Sequence, residues 1–129
     1  TEPWIGVNPN HVEINAAEEF DDPDSVYTFY KKLIAMRHNN ATVAVGEWNL
    51  VAADSEQVYS FTRTSGDDTI LVIVNLTGRT ARVPAEVARL LGNGVGESQV
   101  LLSTYDAVHS VKSVARGELA RWEGVVIQL

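Results

Sequence analysis

The residues best suited to chemistry are five carboxylates that lie close together near the N-terminus. They are Glu18, Glu19, Asp21, Asp22 and Asp24. Cleavage of a glycosidic bond needs two carboxyl groups held about 5 to 9.5 Å apart on a rigid scaffold. These residues instead flank the start of a predicted helix, where acidic side chains cap free N–H groups and complement the helix dipole. We therefore assign them a structural role and predict no catalytic residue.

The histidines and serines form no catalytic or metal-binding pattern. The histidines are His11, His38 and His109, and no two of them share a helix face or neighbouring strand positions. Metal coordination and a catalytic triad are therefore not predicted. The serines considered are Ser25, Ser103 and Ser113, and none lies in a Gly-x-Ser-x-Gly elbow. The glycines of 92–96 are not followed by the Lys-Ser/Thr of a phosphate-binding loop, and we predict no cofactor and no metal.

Aromatic residues offer a second kind of chemistry, the stacking of sugar rings. The residues considered are Trp4, Trp48, Tyr59, Phe61 and Trp122. Trp48 shares strand parity with Leu50, as Tyr59 does with Phe61, which is typical of core-facing positions in a β-sandwich. Trp122 directly precedes the last predicted strand, where a bulky ring can close the end of a sandwich. We expect core packing for each, with a sugar-stacking surface as the alternative.

Composition excludes several classes of protein. A chain of 129 residues with 45% hydrophobic content can bury one core, but it is shorter than the roughly 200 residues of a (β/α)8 barrel. A net charge of −7 argues against nucleic acid and anionic membranes as partners. The absence of cysteine excludes disulfides and thiolate metal sites. No signal segment or membrane-length apolar run is apparent, and we predict a cytoplasmic protein.

The first forty residues predict helix. Asn15 is suited to cap a short helical turn within 13–20. The main helix is predicted to begin at Asp22-Pro23-Asp24 and to end at His38-Asn39-Asn40. Its apolar arc covers about half the circumference and contains Val26, Tyr27, Phe29, Tyr30, Leu33, Ile34 and Met36. Arg37 lies inside this arc, either as a cation of the last turn or as one partner of a buried ion pair.

After Asn40 the hydrophobic period changes from 3.6 to 2, which indicates strands. Strands are predicted at 46–51, 58–64, 69–76, 80–83, 99–104 and 124–129, with weaker ones near 110–115 and 118–119. Residues 64–69 form a predicted hairpin loop in which Gly66 can take positive φ. The continuous apolar run 70–74 predicts a central strand covered on both faces. Residues 84–96 fit either a helix or a loop.

Several stretches resemble one enzyme family. The run Pro3-Trp4-Ile5-Gly6-Val7-Asn8-Pro9-Asn10, followed by Glu13-Ile14-Asn15-Ala16-Ala17 and Asp22-Pro23-Asp24-Ser25-Val26, closely resembles the tail of α-glucosidases of the oligo-1,6-glucosidase type. Those enzymes belong to the α-amylase family, glycoside hydrolase family 13. Residues 70–77, 101–106 and 119–129 are similar to later strands of the same family, with Thr104 where Asn is usual and Arg121 where Pro is common.

The resemblance implies a domain organisation. Residues 1–40 would be the tail of a catalytic (β/α)8 barrel, comprising a loop and its last helix. Residues 41–129 would be a C-terminal antiparallel β domain, so the predicted fold class is a mainly-β antiparallel sandwich preceded by one long helix.

The resemblance also implies a parent enzyme that hydrolyses α-glucosidic bonds of short oligosaccharides by a retaining mechanism. Its catalytic motifs match nothing here, since Val12 stands where the family's Asn-His-Asp motif needs aspartate after Asn10-His11. We predict a non-catalytic C-terminal segment that stabilises the barrel and is inactive alone. Its expected partners are the catalytic barrel of the same protein and, for the parent, a small oligosaccharide substrate. A homodimer through the exposed helix face is also expected.

The alternative is an autonomous β-sandwich module that binds carbohydrate or a partner protein. The first forty residues favour the enzyme segment, because a binding module has no use for a barrel-tail helix.

Overall fold

A computed structural model describes residues 3–129, which divide into two compact units. The first unit ends at Ala35 and the second begins at Met36, so the boundary falls inside the main helix. The division at 40/41 that the family resemblance implies concerns the parent enzyme and stays a prediction.

The first unit contains a 3-10 helix, Pro9–Val12, followed by α1 (Ala16–Asp21) and most of α2 (Val26–Asn39). Asn15 caps α1, because its Oδ1 accepts hydrogen bonds from the N–H groups of Ala17 and Glu18, both at 3.1 Å. The predicted cap is therefore confirmed.

Helix α2 begins at Val26, later than predicted, because Ser25 takes over the capping role. The Oγ of Ser25 accepts from the N–H of Thr28 at 3.1 Å and donates to the carbonyl oxygen of Asp22 at 2.9 Å. The carboxylate of Asp22 accepts from the N–H of Asp24 at 2.9 Å. Asp22 therefore stabilises the turn that precedes α2 and does not cap α2 itself.

A helix that the sequence did not predict, α3 (Ala41–Val45), follows α2 directly. Its cap is Asn40, whose Oδ1 accepts from the N–H of Val43 at 3.0 Å. The asparagine that was expected to end one helix therefore begins the next.

The second unit contains seven strands in two antiparallel sheets. A five-stranded sheet has the order β1-β2-β3-β7-β5, and β4 pairs with β6. The strands are β1 (Glu47–Val51), β2 (Val58–Ser65), β3 (Asp68–Asn75), β4 (Ala81–Arg82), β5 (Val100–Ser103), β6 (Glu118–Leu119) and β7 (Gly124–Gln128). All six strong strand predictions and the weaker one at 118–119 are confirmed.

The predicted hairpin joins β2 to β3. Ser65 pairs with Asp68, and Gly66 has a φ of 60° at the first central position of the two-residue loop. Positive φ at that position alone is typical of the type II′ turn, which matches the twist of the strands it joins.

Two helices connect the later strands, α4 (Ala85–Leu91) and α5 (Ala107–Arg116). Helix α4 covers 85–91 of the ambiguous segment 84–96, and residues 92–96 form a loop. The weak strand prediction at 110–115 is wrong, because α5 has strong end signals: the Oδ1 of Asp106 accepts from the N–H of His109 at 2.7 Å, and Gly117 ends the helix with a φ of 71°.

One face of the five-stranded sheet, the inner face, builds the core. It packs against the β4–β6 sheet and helices α4 and α5. The predicted mainly-β antiparallel domain, preceded along the chain by one long helix, is confirmed. The core residues are Val58, Leu71, Ile73, Ala81, Val87, Leu91, Val114, Leu119, Val125 and Ile127.

The opposite face of this sheet, the outer face, is covered only at one end. Ile70 is buried there, whereas Val72 and Val74 are half-buried. Helix α3 contacts β2 and β3, and Arg63, the pairing partner of Ile70, donates from Nη2 to the carbonyl oxygen of Gly46 at 2.8 Å. Strand β3 is central as predicted, but its outer residues are not fully covered.

No helix in the described part of the chain is long and apolar enough to cross a membrane.

Candidate functional site

The acidic residues near the N-terminus serve the backbone. Oε2 of Glu19 accepts from the N–H of Tyr27 at 3.2 Å, and Asp22 closes a turn as described. Among residues 3–129, no group of three or more His, Cys, Asp or Glu side chains could hold a metal ion. The arrangement therefore fits helix-end stabilisation and not acid–base chemistry.

A buried carboxyl group that the sequence analysis missed lies at the start of β7. Glu123 is 0% exposed. Its Oε1 accepts from the hydroxyl of Ser110 at 2.8 Å, and its Oε2 accepts from the N–H of Ala120 at 2.7 Å. This single side chain thus joins helix α5 to the turn that leads into β7.

A chain of hydroxyl groups extends this contact to β5. The Oγ atoms of Ser103 and Ser110 are 2.8 Å apart, and Oγ of Ser103 accepts from the N–H of Tyr105 at 3.0 Å. Because Ser110 donates its proton to Glu123, Ser103 must donate to Ser110. The bonds therefore run in one direction, from the Tyr105 amide to the carboxyl group.

His109 borders the same cluster. Its Nε2 is 3.6 Å from Oε2 of Glu123 and has no hydrogen-bond partner, and its ring stacks on Tyr105 with centroids 4.4 Å apart. The residue types are those of a Ser-His-acid triad, but the serine hydroxyl points to the carboxyl group and not to the imidazole. Ser110 is also 0% exposed, so no substrate can reach it. The cluster therefore stabilises the fold and does not form a catalytic site.

One sequence feature marks the position of this cluster, but it does not predict that the side chain is buried. Glu123 is an isolated acid between Trp122 and the apolar strand β7. A charged residue at the edge of a core strand is normally exposed, and the burial of Glu123 depends on two donors, Ser110 of helix α5 and Ala120 of the turn. Ser110 lies in a segment whose helical period was mistaken for that of a strand.

A second buried polar residue, Asn75, ends strand β3. It is 0% exposed, and its Nδ2 donates to the carbonyl oxygens of Arg79 and Ala120, both at 2.7 Å. Its Oδ1 accepts from the N–H of Thr77 at 3.0 Å. The Asn-x-Thr sequence at 75–77 therefore cannot accept a glycan in the folded chain, because its amide nitrogen is enclosed and bonded.

The prediction that the aromatic residues fill the core is wrong for most of them. Trp48 is 47% exposed and Tyr59 is 42% exposed. The shared parity is correct, since Leu50 pairs with Phe61 and Trp48 pairs with Arg63 on one face. That face is the outer one. Parity shows which residues lie together but not which face meets the core.

These side chains form the outer aromatic patch, which consists of Trp48, Leu50, Tyr59 and Phe61. The ring centroids of Trp48 and Phe61 are 6.3 Å apart with planes inclined by 37°. Those of Tyr59 and Phe61 are 5.6 Å apart and inclined by 51°. Tilted, interlocked rings make an uneven apolar surface, which suits contact with protein better than stacking on a flat sugar.

Trp122 does not close the sandwich as predicted, because it is 60% exposed. It is one of two non-glycine residues with positive φ in the part of the chain that the structure describes, at 56°. Trp4, also expected in the core, is 94% exposed. Both residues present aromatic surface outside the core.

The first unit exposes many large apolar residues. They are Trp4, Ile5, Val7, Val12, Ile14, Phe20, Val26, Tyr27, Tyr30 and Ile34. Phe29, Leu33 and Met36 of α2 are half-buried. Arg37 is exposed in the last turn of α2. Within this chain it is therefore a cation of the last helical turn and not a partner in a buried ion pair.

Comparison with known proteins shows which family this chain is similar to. A family model described as the α-amylase catalytic domain matches residues 1–46. The oligo-1,6-glucosidase of Parageobacillus thermoglucosidasius is 33% identical over 129 residues, covering 98% of this chain and 22% of that protein. The oligo-1,6-glucosidase of Halalkalibacterium halodurans is 37% identical over 106 residues, covering 81% of this chain and 18% of that protein.

Solved structures agree. Trehalulose synthase MutB from Pseudomonas mesoacidophila superposes with a TM-score of 0.78 and 30% identity, over 98% of this chain and 22% of that one. The chain spans about a fifth of the length of the curated relatives it matches. Because sequence identity and fold agree over nearly its whole length, the chain belongs to the α-amylase family, glycoside hydrolase family 13.

Proposed function

We propose that this chain is the non-catalytic C-terminal segment of an α-glucosidase that hydrolyses α-glucosidic bonds of short oligosaccharides. In this proposal the segment stabilises the catalytic barrel and is inactive alone. The names of the curated relatives support the activity, and the catalytic-domain match to residues 1–46 supports the position of the segment.

The observation that carries the proposal is the exposed apolar surface of the first unit. Ten large apolar side chains there are exposed, and all of them fall within the residues that match the catalytic domain. Extensive exposed apolar surface marks an interface. The rest of a catalytic barrel is a partner of the required chemistry, because its own helices bury apolar faces against their neighbours.

The outer face of the five-stranded sheet supports the same assignment. Helix α3 lies within the catalytic-domain match and already covers one end of this face. The outer aromatic patch continues the face beyond α3. We propose that the barrel covers this patch as well, so that β3 would be enclosed on both faces in the whole protein.

The chemistry of the proposed parent lies outside this chain. A retaining glycosidase needs two carboxyl groups about 5 to 5.5 Å apart around the scissile bond. The buried carboxyl group of Glu123 is enclosed by Ser110 and Ala120 and cannot meet a sugar. We also propose a cytoplasmic parent, because a chain without cysteine requires no oxidising compartment.

An autonomous binding module is the second candidate. The exposure of Trp48 and Tyr59 favours it, because aromatic rings on a sheet face can receive a sugar or a peptide. The exposed first unit weighs against it, since a free module has no reason to carry ten exposed large apolar residues.

An activity assay tests the absence of catalysis. The purified chain is incubated with p-nitrophenyl α-glucoside and with isomaltose, and we expect no turnover above the buffer control. Turnover that disappears when one acidic residue is replaced would overturn the proposal.

A stability assay tests the structural role. In the whole protein, Tyr59→Lys is expected to lower the melting temperature of the barrel, because it buries a charge at the proposed interface. Glu97→Lys, at an exposed position in the same unit, is the matched control and is expected to leave it unchanged. Equal melting temperatures for the two variants would contradict a stabilising contact at this face.

A further inference from the structure

An asparagine followed by glycine lies in the loop between α4 and β5. Asn93 and Gly94 are both exposed, and residues 92–96 form neither helix nor strand. No other asparagine in the sequence precedes a glycine. Glycine has no Cβ atom, so the backbone nitrogen of Gly94 is less shielded than it would be in any other residue type. The pair therefore offers an unhindered nitrogen beside a side-chain amide.

The fold does not hold the side chain of Asn93. The amides of Asn15, Asn40 and Asn75 are engaged in hydrogen bonds that fix them as helix caps or in the interior. Within residues 3–129 the Asn93 amide makes no hydrogen bond, and the residue is exposed. Its Cγ atom is therefore free to turn toward the neighbouring backbone.

The backbone on both sides of Asn93 is formed by glycines in open space. Gly92 has a φ of 56° and Gly94 has a φ of 117°, values that residues with a Cβ atom rarely adopt. A Cβ atom added to either glycine would meet no other heavy atom within 4 Å. Packing at these two positions therefore does not block rotation of the loop.

One hydrogen bond opposes a reaction of the Gly94 nitrogen. Its N–H donates to the carbonyl oxygen of Leu91, the last residue of α4, at 3.1 Å. Exposed backbone bonds at the ends of elements open locally at little cost in free energy. The reacting atoms belong to adjacent residues, so once the bond is open they are within reach of each other without any tertiary contact. The bond therefore slows the reaction and does not prevent it.

We propose that Asn93 is a site of spontaneous deamidation and isoaspartate formation. The Gly94 nitrogen forms a bond to Cγ of Asn93 and loses its proton, the bond from Cγ to the side-chain nitrogen breaks, and ammonia leaves with that proton. Water then opens the resulting succinimide ring at either of its carbonyl groups, which yields aspartate or isoaspartate. Water is consumed and ammonia is released in equal amounts, so no oxidant, reductant or cofactor takes part.

The product differs from Asn93 in charge and in backbone length. A carboxylate replaces a neutral amide and adds a negative charge to a chain whose net charge is −7. Asn93 and Arg116 both line a cavity of about 430 Å³ at the C-terminal ends of α4 and α5, so the new charge arises in a cavity that a cation also lines. Isoaspartate also routes the backbone through the side-chain carbon, which lengthens the connection from α4 to β5.

Peptide mass spectrometry tests the site after incubation of the purified, folded chain at mildly alkaline pH. Trypsin then releases peptide 90–112, in which Asn93 is the single asparagine, and peptide 38–63, whose asparagines serve as internal references. We expect Asn93 to convert at least roughly tenfold faster than any asparagine of peptide 38–63, which corresponds to a barrier lower by about 1.4 kcal/mol. Both aspartate and isoaspartate should appear, and an isoaspartate-specific carboxyl methyltransferase with S-adenosylmethionine should label peptide 90–112.

Two variants provide matched controls. Asn93→Gln keeps an amide at this exposed position, but its longer side chain would have to close a larger ring that forms more slowly, so the label on peptide 90–112 should disappear. Asn49→Gln changes an exposed asparagine that precedes Leu50, and the label on peptide 90–112 should remain as in the unsubstituted chain.

Three results would overturn the proposal. The first is conversion of Asn93 no faster than that of the reference asparagines. The second is aspartate without isoaspartate, because direct hydrolysis of the side chain gives aspartate alone. The third is a label on peptide 90–112 that persists in Asn93→Gln.

Discussion

Replacement of Glu123 by alanine tests whether one buried side chain holds the end of the second unit together. The carboxyl group is 0% exposed and accepts two hydrogen bonds, from Ser110 at 2.8 Å and from Ala120 at 2.7 Å. In Glu123→Ala both donors lose their acceptor inside the protein. Unlike the Ser110 hydroxyl, which can rotate, the Ala120 amide has no other acceptor within the turn.

The magnitude follows from these two bonds. Leaving a buried donor unsatisfied costs about 1 to 3 kcal/mol, so the loss of the acceptor for two donors should lower the free energy of unfolding by roughly 2 to 6 kcal/mol. That is a large share of a typical stability of about 5 to 15 kcal/mol. At roughly 4 °C per kcal/mol, the melting temperature should fall by about 8 to 24 °C.

Differential scanning calorimetry measures this fall, and Glu118→Ala is the matched control. Glu118 is a nearby exposed glutamate in β6, and its removal should change the free energy of unfolding by no more than about 0.5 kcal/mol. Hydrogen exchange adds a local readout, because the Ala120 amide should exchange faster in Glu123→Ala. If the melting temperature of Glu123→Ala lies within about 2 °C of that of the unsubstituted chain, the network does not stabilise the fold.

Three other perturbations address the sheet, helix α3 and the first unit. Leu71→Asp should abolish the cooperative urea transition, because it buries a charge in the core. Val72→Asp lies on the half-buried outer face and should only shift the midpoint of the transition. Equal effects of the two substitutions would contradict the assignment of faces. Gly46→Ala should cost about 1 to 3 kcal/mol, because its Cβ would lie 2.5 Å from the carbonyl oxygen of Thr42, and an unchanged urea midpoint would disprove that close approach. Light scattering of the unsubstituted chain should show self-association through the exposed face of α2, and Tyr30→Lys should weaken that association. A strictly monomeric unsubstituted chain at high concentration would contradict this prediction.

Local patterns in the sequence were sufficient for most secondary structure. Asn15 at a cap and Gly66 in a two-residue loop have conformations that nearest neighbours determine, and both are confirmed. The strands were recognised because alternating side chains must meet opposite faces of a sheet. The weak strand predicted at 110–115 was wrong because Val108, Val111 and Val114 recur every third residue, which is a helical spacing and not that of a strand. The N-cap residue Asp106 is the second helix signal in this segment.

The buried polar residues depended on contacts distant in sequence. Glu123 meets Ser110 thirteen positions away, and Asn75 meets Ala120 forty-five positions away. No local pattern shows that such side chains find donors or acceptors, since burial of a polar group is favourable only after the partner elements are in place.

The sequence by itself determined the family, the order of strands along the chain and the residues that share each strand face. Only the tertiary structure decided which face of the sheet meets the core, because the residues on both faces of β3 are apolar and either could be covered. Helices α4 and α5 pack on the face that carries Leu71 and Ile73, which leaves Trp48 and Tyr59 on the other. The exposed aromatic surface is therefore a consequence of packing between distant elements and not of any local preference.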